Sequence, residues 1–90
     1  MTAAMASDLD QLLDIVRGEV GPAGALVGPE TRAADLRGWD SVAMVNILFA
    51  VEETFGVEFS SRQMERADGM PTLLRLLQEA RELTLPGTHL

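Results

Sequence analysis

The chain has no cysteine, no lysine and no tyrosine, and only one histidine and one tryptophan among its 90 residues. Each absence excludes something. Without cysteine there is neither a disulfide framework nor a thiolate metal site to staple a small fold. Every basic residue is an arginine, and seven of them face fourteen carboxylates, for a formal net charge of -7. A face basic enough to neutralise phosphates is missing, which argues against nucleic-acid binding. The same acidity keeps a monomer soluble and steers it toward basic patches on protein partners. No run approaches the roughly 18 apolar residues that a membrane span needs, so no membrane association is expected. The opening residues, Met1 to Asp8, carry neither a basic leader nor an apolar signal core, so a cytoplasmic location is expected.

What is present is helical punctuation. Hydrophobic residues make up 47% of the chain, enough for one core in a single domain spanning residues 1–90. At this size a stability of only a few kcal/mol is expected. Ser7 is placed to cap a helix from Asp8, with Asp8 and Asp10 in the first turn, where the helix dipole favours negative charge. Leu9, Leu12, Leu13, Val16 and Val20 then recur at helical spacing until Gly21-Pro22 ends the run. From Gly21 to Gly38 the chain is rich in Gly and Pro and reads as one long connection, pinned by Leu26, Val27 and Leu36. Asp40 is a good N-cap for a second helix, Ser41–Phe55, which Gly56 stops. Ser60 with Gln63 resembles a capping box before a short helix, Ser61–Arg66. Pro71 fits the first turn of a last helix whose inward face is Met70, Leu73, Leu74, Leu77 and Ala80. The expected fold class is therefore all-α, with three main helices, one short helix and a long loop between the first and second. Residues 7–83 form the expected ordered core, with a flexible tail over 84–90.

The second helix has two apolar stripes. At about 100° per residue, Met44, Ile47, Leu48, Val51 and Phe55 gather within roughly one third of the circumference, enough to anchor it in a core. Val42, Val45 and Phe49 gather on nearly the opposite side, flanked by Asn46, Glu52 and Glu53. Either the short helix or the long loop covers this second stripe, or it is an exposed apolar patch with an acidic rim, as transient docking surfaces are built. Ser41 lies at the N-terminal end of the same surface, and that coincidence favours docking.

Ser41 has no catalytic company. A serine nucleophile needs a general base and usually a third group to orient it. The one histidine, His89, falls in the expected tail, and Asp40 is engaged as a cap. A hydrolase is not expected. Metal sites fare no better, because Asp8, Asp10 and Asp14 lack the glycine and bidentate glutamate of a calcium loop. Gly21-Pro22-Ala23-Gly24 is not followed by the lysine of a phosphate-cradling loop.

The stretch from Trp39 to about Leu77 resembles the acyl carrier protein family, whose signature is Asp-Ser-Leu followed by an amphipathic helix. Gly38-Trp39-Asp40-Ser41-Val42 matches that signature with Val for Leu. Glu52-Glu53-Thr54-Phe55-Gly56-Val57 is similar to the family's Glu-Glu-x-Phe segment at the expected offset, and Phe59, Ser60 and Ser61 match the entry to its short third helix. The resemblance implies a four-helix bundle of acyl-carrier type that is not an enzyme. In it Ser41 would receive a 4'-phosphopantetheine arm from coenzyme A through a phosphopantetheinyl transferase, with Asp40 in support. The arm's thiol would hold an acyl group as a thioester, and the chemistry would belong to partners such as a ketosynthase, acyltransferase or ligase.

The resemblance also implies which side chains face where. Val42, Val45, Phe49, Glu52 and Glu53 would face partners. Met44, Ile47, Leu48, Val51 and Phe55 would face inward around an acyl-chain cavity, with Met64 and Ala67 at its mouth. Ala43 and Asn46 stand where family members often have acids, so docking is expected to lean on Val45 and Phe49. The absence of a Gly-Gly-x-Ser signature argues against a peptidyl carrier. The expectation is a freestanding, monomeric carrier in polyketide or other specialised biosynthesis, with housekeeping fatty-acid synthesis second. The reading from another class is a small helical adaptor that binds a protein through Val45 and Phe49.

Overall fold

Caps set the helix boundaries. In the computed structural model, which describes residues 7–84, helix α1 (Asp8–Glu19) starts after Ser7, whose Oγ accepts from the Asp10 N–H at 3.1 Å. Helix α2 (Ser41–Phe55) follows Asp40, whose carboxylate accepts from the Ala43 N–H at 2.8 Å. It stops at Gly56, which takes the left-handed conformation with φ 68°. Helix α3 (Ser61–Arg66) opens on the Ser60–Gln63 capping box, with reciprocal bonds of 3.0 and 2.9 Å. Helix α4 (Met70–Thr84) has Pro71 in its first turn, where the missing N–H costs nothing. It includes Thr84, the first residue of the expected tail. The remainder of that tail, His89 included, lies outside the described residues, as does the N-terminus before Ser7.

Among the described residues there is no strand, only an isolated bridge between Arg32 and Gly69. The fold class is all-α, and among the described residues no helix is long and apolar enough to cross a membrane.

The core collects one stripe from each long helix. Leu12, Leu13 and Val16 of α1 meet Ile47, Leu48 and Val51 of α2 and Met70, Leu73, Leu76, Leu77 and Ala80 of α4, all buried. Leu76 replaces Leu74 in the expected face of α4, and Leu74 is only half-buried. The stripe that packs runs through Leu73, Leu76, Leu77 and Ala80, and Leu74 sits about 100° from its first member. Leu9 is likewise half-buried, while Val20 is enclosed. Burying each leucine contributes roughly 1.5–3 kcal/mol.

The long connection expected from Gly21 to Gly38 carries helical structure of its own. It forms two tight turns of 3-10 helix, Gly21–Leu26 and Ala33–Asp35. The Arg17 guanidinium donates to the Val27 carbonyl from Nε at 3.2 Å and Nη2 at 2.7 Å. Farther on, Ala33 N–H donates to Asp68 and Met70 N–H to Thr31, both at 2.9 Å, fastening the segment to the α3–α4 junction. Val27 and Leu36 are buried as expected, but Leu26 is 75% exposed and pins nothing.

Candidate functional site

Ser41 is the first residue of α2 and its side chain is exposed. The Asp40 cap beside it fixes the direction of the first turn, so the hydroxyl projects from a rigid element. Among the described residues it has no histidine or lysine beside it, and Glu65 and Asp68 line the same groove as Ser41. The chain has no lysine, its one histidine is outside the described residues, and the Asp40 carboxylate is engaged with the Ala43 N–H. Among the described residues no group of three or more His, Cys, Asp or Glu side chains is placed to hold a metal ion. The Ser41 residue is open to solvent.

Along α2 from Ser41 the second stripe is bare. Val42 is 68% exposed, Val45 48% and Phe49 56%, so neither the short helix nor the long loop covers them. These are three of the four large hydrophobic residues exposed among the described ones. Glu53 is exposed beside them. Glu52 differs from expectation: it is half-buried and its Oε2 accepts the Phe59 N–H at 2.8 Å. The carboxylate ties the end of α2 to the α2–α3 connection and is not a free rim charge. Phe55 is half-buried, with the Arg81 guanidinium 5.3 Å from its ring centroid.

A groove of about 540 Å³ runs from Ser41 to Phe49, two turns of helix or about 12 Å. Met44, Val45, Leu48 and Phe49 form one side. Met64 and Ala67 of the α3 end form the other, together with Ala33 and Ala34 of the fastened loop. Trp39, Asp40 and Ser41 close the end near the start of α2. Of the residues expected around an internal cavity, Met44, Leu48, Met64 and Ala67 therefore border an open groove. Ile47 and Val51 do not: both are fully buried in the core, on the side of α2 that packs against the other helices. Val45 and Phe49, expected only on the outer surface, are at once exposed and part of the groove wall.

The rim is mixed in charge. Arg32 pairs with Asp68 at 3.7 Å, a long contact with both side chains mostly in solvent, worth little on its own. Asp68 also accepts from the Thr72 hydroxyl at 2.9 Å. Trp39, which no helical stripe marks as a core residue, is only 4% exposed. Periodicity could not find it, because it precedes the helix and belongs to no stripe. No family model, no curated protein sequence and no solved structure matches this chain.

Proposed function

We propose that this protein is an acyl carrier that is modified at Ser41 and presents a thioester-linked acyl intermediate to partner enzymes. The four helices then correspond to a bundle of acyl-carrier type. The observation that carries the reading is the exposed Ser41 at the head of α2, leading directly into the exposed Val42, Val45 and Phe49. The site suits a phosphopantetheine arm on chemical grounds. A phosphodiester formed at Ser41 would sit at a helix N-terminus, where the dipole favours negative charge. In the attachment step the Ser41 oxygen attacks phosphorus in the diphosphate of coenzyme A. The bond to the adenosine portion breaks, and that portion leaves as the bisphosphate while the hydroxyl proton passes to a base of the transferase. When bound, the arm supplies a thiol that holds acyl groups as thioesters. Asp40 keeps the first turn of α2 in place, and Val45 and Phe49 give partners an apolar surface to grip.

Polyketide or other specialised biosynthesis is the preferred setting, because α2 offers partners few acids. Glu52 is engaged internally, and Ala43 and Asn46 are uncharged. The second reading is an adaptor that uses the same exposed patch, with Ser41 merely starting the helix. One experiment separates them. Apo protein is incubated with coenzyme A, magnesium and a promiscuous phosphopantetheinyl transferase, then weighed intact. The carrier gains one phosphopantetheine and Ser41→Ala gains none. An unchanged mass in the wild type removes the carrier and leaves the adaptor.

A further inference from the structure

Helix α3 is lightly held. None of its six residues is buried, and a helix that short does not stand alone in water. Its two ends are pinned: the Phe59 N–H before it donates to Glu52 at 2.8 Å, and the Asp68 carbonyl after it accepts from Ala33 at 2.9 Å. Between those pins the structure shows two holds. One is polar, the Glu79 carboxylate reached by Gln63 and Arg66, and it lies partly in solvent, where such a contact is weak. The other is apolar. Met64 is the one apolar side chain within α3, and it packs against the core with Ala67 just beyond it.

That apolar anchor is a thioether within reach of solvent. Met64 is half-buried and lines the open groove, as does Met44 of α2, whereas Met70 is fully buried. The chain has no cysteine to compete for an oxidant. We infer that Met64 is a redox-sensitive fastener: a peroxide oxidises it, and α3 comes away from α2 while the rest of the bundle stays folded. The sulfur attacks one peroxide oxygen, an S–O bond forms as the O–O bond breaks, and the other oxygen leaves as water. Sulfur gives up an electron pair and the peroxide is reduced. The sulfoxide is polar and needs hydrogen bonds that Leu48, Met44 and Ala67 around it do not supply from their side chains. Water then enters and the anchor is lost. Met44 differs, because Ile47, Leu48 and Val51 keep α2 in the core whatever happens to its sulfur. The inference goes beyond the carrier reading and holds whether or not Ser41 is modified.

Wild-type protein and the variants Met44→Leu and Met64→Leu, swaps of similar volume, are treated with hydrogen peroxide. Peptide mapping by mass follows each methionine, and amide hydrogen exchange follows each helix. Met64 should oxidise well before Met70. The Met64 and Ala67 amides, which donate to the Ser60 and Met64 carbonyls, should then exchange about tenfold faster, as losing the burial of one side chain allows. The Leu73 amide of α4, bonded to Gly69, should stay slow. Met44→Leu should respond as the wild type does, and Met64→Leu should not respond. Both variants retain Met1 and Met5, so oxidation there cannot separate them. Reductases acting on both sulfoxide epimers should restore slow exchange. Oxidation of Met64 no sooner than Met70 would overturn the inference, as would a sulfoxide at Met64 with α3 exchange unchanged. So would loosening that extends to Leu73 or that the reductases do not reverse. These outcomes are read in wild type and Met44→Leu even where Met64→Leu fails to fold.

Discussion

Ile47 and Phe49 stand two positions apart on one helix and meet opposite environments, the first fully buried and the second 56% exposed. Ile47→Ala should cost about 2–5 kcal/mol in urea denaturation, since it opens a cavity in the core. Phe49→Asp should leave helical circular dichroism unchanged and shift stability by no more than about 0.5 kcal/mol. Its effect should be on acyl transfer from the loaded protein to a partner enzyme, which it slows. A multi-kcal/mol loss from Phe49→Asp would mean that the exposed stripe is structural and not a docking surface. At the head of the helix, Asp40→Ala removes the cap on the Ala43 N–H and should cost about 1 kcal/mol whether or not Ser41 is modified. All of these residues could be named from the sequence, because caps and stripes are short-range patterns. Glu52 and Trp39 could not be assigned in the same way. The partner of Glu52 is seven residues on, across a turn, and the burial of Trp39 depends on what packs over it.

At the scale of elements, the segment between α1 and α2 shows what spacing alone leaves out. Its Gly and Pro content marks turns, and the turns are there, but the partners that fasten them are distant in sequence. Gly24 lies so close to α1 that a Cβ would fall 2.4 Å from the Arg17 carbonyl oxygen. Gly24→Ala should therefore displace the first tight turn and cost about 1–3 kcal/mol in thermal or urea melts. Helices α3 and α4 are joined by Glu79, which accepts from Gln63 at 3.3 Å and from Arg66 at 2.9 and 3.0 Å. Those bonds, Gln63 first and Arg66 second, hold the Glu79 carboxyl below its ordinary value. A carboxyl lowered on folding adds stability above its unfolded pKa and loses it as pH falls through the folded one. Wild type should thus exceed Glu79→Gln in stability at neutral pH, and urea melts repeated at falling pH should show the gap closing on the acid side. The group is solvated, so the gap is small.

For the whole molecule, the margin is narrow. A 90-residue chain with no disulfide is expected to be stable by only a few kcal/mol, and Leu77→Ala alone should remove about 2–5 of them. That variant should be largely unfolded at room temperature by circular dichroism, in contrast to Phe49→Asp. The sequence by itself determined the all-α class, the starts of α1, α2 and α3, and the position of Ser41 at a helix start. Those follow from caps, breakers and periodicity, which act within a turn or two of chain. Only the tertiary structure decided that the second stripe of α2 stays bare, that Ile47 and Val51 are sealed in the core while Met44 and Leu48 border a groove, and that Leu76 outranks Leu74. It also decided that one indole is buried without a partner. Each of these depends on which distant surfaces come to lie against α2 and α4, and packing of that kind leaves no local mark in the chain.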